Sequence, residues 1–471
     1  QSSHGKRSKA SVSLSVATVL LATSGLVSAA YVETGTLGDK ASWETAEYNY
    51  NWGLGAMNAS SAYALGFYGQ NTTTGVMDSG AWLGNPDLDT PRITATHVTG
   101  VYGSSGNRYP QSIYATLQKG VVPTAAEGQP FTEGEEFDVK GDYTLGLNDA
   151  HGTQVTGVIG AERNGEYGHG VAFKANVVVG NTGATDNNNY GPFQDYNYYF
   201  KGYKALADAV NAGNGEYRGG MVNNSYGTNT KIYSSGGHRL TPDEMSELLA
   251  GSGNYDRASA AYAVTFSGDY SFLGLNDVPG ADQYSTNPSA FEWEYMYFKL
   301  KYGDKPSFLD GAYDAVKGTN VILSWAAGNQ DRGTPYLKGL YPYFHPEAEK
   351  NWLNAVGVMQ TRGDNDQYMQ ATYCKAGLAK WWSMSGPTAY PGIGTTYVTT
   401  DLENGRLTTT GFNGTSASDP QISGAFTVLQ SRYPSMTAIQ VKDVMYTTAS
   451  HIGANGQPFT NWTAAEGTPD V

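Results

Sequence analysis

The stretch Gly414-Thr415-Ser416-Ala417-Ser418-Asp419-Pro420 places a serine at the start of a predicted helix. The residues from Ile422 to Tyr433 are mostly small or apolar, and a proline follows them and ends the pattern. We expect Pro420 within the first turn, where a missing N–H costs little. A hydroxyl here faces unpaired backbone N–H groups and the positive end of the helix dipole, which favour a negative charge beside Ser416. Taken alone, the stretch also fits an ordinary N-cap serine.

The composition describes an acidic chain that is long enough for a sizeable core. Of its 471 residues, 39% are hydrophobic and 15% are charged, which suits an α/β protein with long loops. The formal net charge is −14, and this argues against nucleic acid as a partner. The single cysteine, Cys374, excludes an intrachain disulfide, and we expect it to act as a small apolar residue.

The first 30 residues have the pattern of a secretory signal peptide. A basic start with Lys6, Arg7 and Lys9 precedes a short apolar run at 12–27, and small residues at 28–30 fit a cleavage site. A membrane anchor is the alternative, although the run is short and serine-rich for a bilayer span. We therefore predict export, with residues 31–471 as the folded domain.

Strand patterns alternate with helical patterns along the rest of the chain. Strands are predicted at 73–77, 175–180, 221–225, 320–325 and 354–359, and helices at 58–66, 151–162, 200–211, 311–317 and 438–447. The alternation predicts an α/β fold, with a mostly parallel sheet between two layers of helices. In such sheets functional groups gather at the carboxyl ends of strands, where Asp78, Ser225 and Asn329 stand.

Three residues fit one kind of nucleophilic catalysis. Asp78 ends a predicted strand, while His151 and Ser416 each begin a predicted helix. A serine hydroxyl needs an adjacent base, imidazole is the usual one, and a carboxylate orients the imidazole. The order Asp, His, Ser along the chain is one of three known for this triad. Since the three residues are far apart in sequence, only tertiary folding can bring them together.

The chain resembles the subtilisin-like serine proteases, or subtilases. Five motifs carry the resemblance in the family's order: Val76-Met77-Asp78-Ser79-Gly80, His151-Gly152-Thr153-Gln154-Val155-Thr156-Gly157, Asn224-Ser225-Tyr226-Gly227, Ala326-Ala327-Gly328-Asn329, and Gly414 to Pro420. The resemblance implies a three-layer αβα fold and a secreted serine endopeptidase that acts on proteins or peptides through an acyl-enzyme.

The same resemblance assigns roles to individual residues. Asp78, His151 and Ser416 are expected to be catalytic, and Asn329 is expected to form the oxyanion hole. The expected substrate-binding residues are Ser225, Tyr226, Gly227, Ser324, Ala326, Ala327 and Gly328. The resemblance implies no required cofactor and no catalytic metal, and we expect a monomer.

A narrower resemblance is to the subtilase passenger domains of bacterial autotransporters. Asn51-Trp52-Gly53-Leu54 resembles their entry segment, and residues 374–387 resemble the stretch before their serine motif. These proteins usually continue into a C-terminal β-barrel. We therefore expect this chain to be truncated before such a region, to be secreted or held at the bacterial surface, and to meet the membrane only through that barrel.

Several features depart from the family pattern. Gln154 replaces a second histidine, and Asp419 replaces a small residue and adds a carboxylate to the first turn. Two long segments, about 81–150 and 229–308, are interpreted as insertions without a counterpart of that size. The role of Asp419 stays open between complementing the helix dipole and changing the charge balance near Ser416.

Other polar features give weaker indications. The oxygen-rich stretches 186–189 and 363–366 fit either structural calcium sites or plain polar loops. His169 and His238 have no evident partners in the sequence, and we expect both at the solvated surface.

Two other functions compete with the peptidase interpretation. One is a catalytically weak subtilase fold that serves as a surface adhesin or binding module. The other is a lipase or esterase of the α/β-hydrolase type, but the chain has no G-x-S-x-G around Ser416, and its triad order differs from that fold.

Overall fold

A computed structural model describes residues 31–107, 130–142, 150–182, 195–226, 305–329, 334–361, 364–388, 399–401, 406–408 and 411–449. Several predictions fall outside these ranges: the signal peptide at 1–30, Gly227, His238, the stretch 186–189 and nearly all of the insertion at 229–308. They stay predictions.

The strands, in chain order, are β1 (Thr73–Asp78), β2 (Ile93–Ala95), β3 (His97–Val101), β4 (Gly106–Asn107), β5 (Pro130–Phe131), β6 (Glu136–Lys140), β7 (Asn176–Asn181), β8 (Met221–Asn224), β9 (Ile322–Ala326), β10 (Trp352–Thr361), β11 (Asp364–Gln370), β12 (Ser383–Pro387), β13 (Thr399–Asp401) and β14 (Arg406–Thr408). Eight of them form the central sheet in the order β11-β10-β9-β8-β1-β7-β2, with β12 also paired to β10. All pairs in this sheet are parallel except β10 with β11.

The helices are α1 (Ala46–Tyr50), α2 (Trp52–Ala56), α3 (Ala59–Ala64), α4 (His151–Gly160), α5 (Tyr196–Asn214), α6 (Phe308–Val316), α7 (Leu337–Phe344), α8 (Thr415–Arg432) and α9 (Ala438–Thr448). Short 3-10 turns occupy Lys40–Trp43, Pro346–Asn351 and Gly377–Trp382. Among the helices in these ranges, none combines the length and apolar composition that a bilayer span requires.

Strand β1 shows why the sheet is covered on both faces. All six of its residues are buried, as expected of a parallel strand between two helical layers. Its neighbouring residues Val76 and Met77 point to opposite faces and join different cores. Val76 packs with residues of α4 such as Val155, whereas Met77 packs with residues of α5 such as Leu206.

The remaining helices extend these two layers. Residues of α6 and α7 share the Met77 core, and residues of α8 and α9 pack together on the opposite face, against β10 and β12. The three-layer α/β architecture predicted from the sequence is therefore confirmed. This arrangement gathers the ends of β1, β8 and β9 beside the start of α8.

One local prediction needs correction. Helix α8 begins at Thr415, so Pro420 is its sixth residue and lies beyond the first turn. The proline removes one hydrogen bond from the helix. The helix tolerates this loss because packing buries most of its residues. The segment 81–150, interpreted as an insertion, contributes β2 to the central sheet and, where described, forms two small antiparallel pairs.

Candidate active site

A carboxylate and an imidazole meet at the end of β1. Asp78 is only 1% exposed, and its Oδ1 accepts the Ser79 N–H at 2.8 Å. The same oxygen lies 2.7 Å from Nδ1 of His151. An ionised carboxylate only accepts hydrogen bonds, so Nδ1 is the donor. In the neutral ring the lone pair is then on Nε2, which is the nitrogen that can take up a proton.

The same loop also positions the helix that carries the histidine. The Ser79 hydroxyl oxygen accepts the Gly152 N–H at 2.8 Å, which satisfies one of the N–H groups at the start of α4. On its other side the imidazole meets the ring of Phe412 edge to face, with centroids 5.4 Å apart. Backbone and side chain are thus both held at His151.

Ser416 is the second residue of α8, and α8 packs against α4. Its side chain is largely buried, and its hydroxyl donates to the Ser225 carbonyl at 2.6 Å. Ser225 follows directly after β8, the strand next to β1. The ends of these two neighbouring strands therefore contact the serine and the histidine, respectively.

Asn329 follows β9 and reaches the first turn of α8. Its Oδ1 accepts both the backbone N–H of Thr415 at 2.8 Å and the Thr415 hydroxyl at 3.0 Å. With the oxygen fixed as an acceptor, the Nδ2 group is left as the donor of this exposed amide. The asparagine thus presents N–H groups beside the residue that precedes Ser416.

Two glycines make this approach possible. Gly414 has φ of +81°, and a Cβ built on it would lie 2.8 Å from the Asn329 amide. Gly328 has φ of +118°, and its Cβ would lie 2.6 Å from the Tyr336 ring. A side chain at either position would be strained, and one at Gly414 would collide with the amide of Asn329.

The predicted substrate-binding residues lie in two different settings. Ser225 and Tyr226 are buried at the end of β8, and the Tyr226 hydroxyl lies 2.6 Å from that of Tyr203. Ala326 ends β9. The backbone groups of Ala327 and Gly328 already bond to the protein: Ala327 pairs with Ala355 and Tyr336, and Gly328 with Thr415 and Cys374. Cys374 is buried, as expected of a small apolar residue.

Ser324 precedes Ala326 by two residues. It lies inside β9, is fully buried, and its hydroxyl donates to Asp419. The Asp419 carboxyl is also fully buried, and its Oδ2 accepts the Asn224 N–H at 3.2 Å. Burial raises the pKa of Asp419 to about 7; the charge of Asp78 adds to this, while the hydrogen bonds from Ser324 and Asn224 oppose it.

Some residues of this site could not be singled out from the sequence. Ser79, Thr415 and Phe412 support the histidine or the asparagine only because the fold brings them there. Ser79 and Thr415 adjoin predicted site residues, but adjacency alone does not reveal a hydrogen bond.

In the part of the chain that the structure describes, no cluster of three potential metal ligands occurs, and calcium binding remains a prediction.

The expectation for His169 was wrong. The ring is fully buried and lies against the rings of Tyr48, Tyr63 and Phe173. Its Nε2 lies 2.9 Å from a guanidinium nitrogen of Arg163. Sequence spacing did not reveal these partners because the tyrosines precede it by more than a hundred residues.

Comparisons with known proteins give a consistent result. The model of the subtilase family, peptidase family S8, matches residues 69–463. An extracellular serine protease of Serratia marcescens is 25% identical over 447 residues, which cover 91% of this chain and 34% of that protein. The serotype-specific antigen 1 of Mannheimia haemolytica is 33% identical over 142 residues, which cover 30% of this chain and 14% of the antigen. The chain spans about a third of the length of the Serratia protease.

Proposed function

Because the chain belongs to the subtilase family of serine peptidases, we propose that it is a secreted or cell-surface endopeptidase with Asp78, His151 and Ser416 as its catalytic triad. The observation that carries this proposal is the 2.7 Å contact between Asp78 and Nδ1 of His151, on a helix packed against α8, whose second residue is Ser416. A histidine held in this way has its basic nitrogen on the side opposite the carboxylate.

The reaction begins with the serine hydroxyl. Its hydrogen is donated to the Ser225 carbonyl, so it must turn toward Nε2 of His151 as a substrate binds. Apo enzymes commonly align such hydrogen bonds only when the substrate is present. Ser416 Oγ then attacks the peptide carbonyl while His151 takes its proton, and Asp78 stabilises the resulting imidazolium. The amine leaves with that proton, and water releases the acyl group from Ser416.

The negative oxygen of the tetrahedral intermediate is stabilised by two N–H donors. One is the backbone N–H of Ser416, which lies in the first turn of α8, where N–H groups lack intrahelical partners. The other is Nδ2 of Asn329, whose orientation is set by the two bonds that its oxygen accepts from Thr415. Donors that are oriented before the charge develops are the effective ones in such a site.

The substrate backbone is proposed to meet Ser225, Tyr226 and Gly227 beyond β8. Added as an extended segment, a peptide can pair with backbone groups there. Ala326, Ala327 and Gly328 form a wall of the adjoining pocket. Ser324 is buried below that wall and acts through Asp419.

The decisive experiment compares Ser416→Ala with Ser431→Ala. Ser431 lies at the far end of the same helix, where its hydroxyl bonds to the Val428 carbonyl. Casein and a peptide library read by mass spectrometry are the substrates. We expect Ser416→Ala to lose about 10⁴-fold or more of the activity, the size of effect seen in other serine peptidases, and Ser431→Ala to retain it. Equal cleavage by both variants would contradict the triad.

Labelling separates this proposal from its alternatives. A fluorophosphonate probe should modify Ser416 in the folded protein, because only an activated serine reacts. Absence of labelling would favour a binding module or adhesin. Assays with p-nitrophenyl esters beside peptides would identify an esterase, which would cleave the esters alone.

A further inference from the structure

A second buried carboxyl lies next to the triad, on the helix of the nucleophile. Asp419 is three residues after Ser416, and both of its oxygens accept hydrogen bonds from the sheet. Oδ2 accepts the backbone N–H of Asn224, the last residue of β8, and Oδ1 accepts the hydroxyl of Ser324 in β9. One side chain therefore links α8 to two strands.

The register of the sheet places this carboxyl near Asp78. In the pairing of β1 with β8, Val76 stands opposite Asn223, so Asp78, two residues on, stands level with Ser225. Neighbouring strands are about 4.8 Å apart. Asp419, bonded to the residue before Ser225, is thus about one strand away from the carboxylate that holds His151. The effect of the Asp78 charge on the pKa of Asp419 agrees with this geometry.

The contacts of Asp419 lead directly to the reacting groups. The Asn224 N–H that it holds precedes Ser225, and the Ser225 carbonyl accepts the Ser416 hydroxyl. The carboxyl therefore fixes the strand end that bonds to the nucleophile. Its charge acts in a water-excluded region, where electrostatic interactions are stronger than in bulk water.

We propose that Asp419 is a positioning residue that fixes the end of β8 against the nucleophile helix, and that its charge helps to set the pH at which His151 acts as a base. This inference rests on the proposed function. A negative charge near the Asp78–His151 pair favours the imidazolium, so the ionised carboxyl delays deprotonation of His151 as the pH rises.

The other groups around Asp419 leave Asp78 as its main charged neighbour. On β8 and β9 it contacts Asn224 and Ser324, which do not titrate. On α5 the neighbouring Tyr203 is fully buried, and burial raises its pKa, so it stays neutral at physiological pH. The ammonium of buried Lys338 on α7 lies over the Tyr226 ring, 4.4 Å from its centroid, and does not affect the pKa of Asp419 appreciably.

The test measures kcat/KM between pH 5 and pH 9 for the parent, for Asp419→Asn and for Asp208→Asn. The first variant keeps the shape and removes the charge; the second makes the same change at an exposed position on α5, paired with Lys204. We expect the acidic limb of Asp419→Asn to move to lower pH by about half a unit or more, and that of Asp208→Asn to coincide with the parent. Coinciding profiles for all three proteins would overturn the proposal.

Ser324→Ala gives a smaller change in the same direction at the same site. It keeps the carboxyl but removes a hydrogen bond that favours its charged form. The carboxyl should then ionise at higher pH, and the profile should follow Asp419→Asn at neutral pH and the parent at alkaline pH. A profile equal to that of the parent throughout would show that the Ser324 contact does not control the carboxyl, contrary to the proposal.

A second measurement does not need peptidase activity. Melting temperatures of the inactive variant Ser416→Ala and of the double variant Ser416→Ala, Asp419→Asn are compared from pH 5 to pH 8. Because folding raises the pKa of Asp419 from 3.8 to about 7, its stability contribution is lost as the pH rises to about 7. The melting temperature of the double variant, relative to that of Ser416→Ala, should therefore rise by several degrees over this range. Parallel curves would overturn the proposal even if the peptidase assignment holds.

Discussion

The regions around His151 and His169 each contain a histidine, partly buried in the first and fully buried in the second, and both rings carry a hydrogen on Nδ1. In His151 this hydrogen is donated to Asp78. In His169 it is donated to the Gly170 carbonyl at 2.8 Å, because Nε2 must accept from the guanidinium of Arg163, which only donates. The tautomer is thus the same at the two sites.

The partners decide what each ring can do. A carboxylate stabilises an imidazolium, whereas a guanidinium 2.9 Å away opposes it. Burial, reinforced by the charge of Arg163, lowers the pKa of His169 to about 3, although its bond to Gly170 opposes the shift. His169 is therefore a neutral structural group, because burial and the charge of Arg163 both oppose its protonation. The difference between the two sites shows that the burial of a histidine and the charge of its partner act together in deciding whether the ring can take up a proton.

The largest expected effect breaks the His151 side of this comparison. His151→Ala should reduce kcat/KM by about 10⁴-fold or more, since the serine loses its base. Its melting temperature should stay close to that of the parent, because the ring lies at the edge of the core, beside Phe412. Peptide hydrolysis and thermal denaturation measure the two properties. A large loss of stability would indicate that His151 is structural as well.

Asn329→Ala tests whether residues at this edge of the sheet affect the reaction rate more than the stability of the fold. Removal of the amide should reduce kcat by roughly 10²–10³-fold with little change in KM, the size of loss known for the oxyanion-hole asparagine of subtilisin. The side chain is exposed, so the melting temperature should change little. A KM effect without a kcat effect would place Asn329 in substrate binding instead.

The opposite pattern is expected at the second histidine. His169→Ala should lower the free energy of unfolding by about 2–4 kcal/mol, because it leaves a cavity among aromatic rings and removes an acceptor from buried Arg163. The kcat of the folded fraction should remain within about twofold of the parent. Denaturant unfolding and active-site titration check this, and a loss of kcat at full folding would contradict it.

The pH dependence of stability tests the cause of the difference. His169 has its pKa lowered on folding from 6.5 to about 3, so its stability contribution is present above pH 6.5 and is lost as the pH falls toward 3. From pH 7 to pH 5, the titration of His169 should lower the free energy of unfolding by about 2 kcal/mol. In His169→Ala that part of the slope should be absent. An unchanged slope would assign the acid sensitivity to other groups.

The smallest expected effect concerns a bond that joins the two regions. The Gln421 amide on α8 donates to Asn51 Oδ1 at 2.8 Å, and Asn51 belongs to the segment whose Tyr48 packs on His169. Gln421→Ala should reduce stability by about 1 kcal/mol and leave kcat nearly unchanged. A larger effect on kcat than on stability would show that the entry segment also positions Ser416.

Much of the fold is predictable because the pattern repeats over many residues. The apolar run Thr73–Met77 and the helical pattern after His151 lie within about two residues of the observed elements. Helix α8 begins too early for Pro420 to lie in its first turn. The prediction failed because proline is typical of a first turn and the sequence does not show how deeply this helix is buried. Strand β2, at 93–95, is not predictable in this way, since three residues carry no period.

The sequence by itself determined which chemical groups are present and their order: Asp78, His151 and Ser416, with Asn329 before the serine motif. These groups can be recognised in the sequence because each stands in a short motif at the end of a strand or the start of a helix. Only the tertiary structure decided which histidine faces a carboxylate and which a guanidinium. It also gave Asp419 its neighbours, since a buried charge is governed by residues that are distant along the chain and close in space.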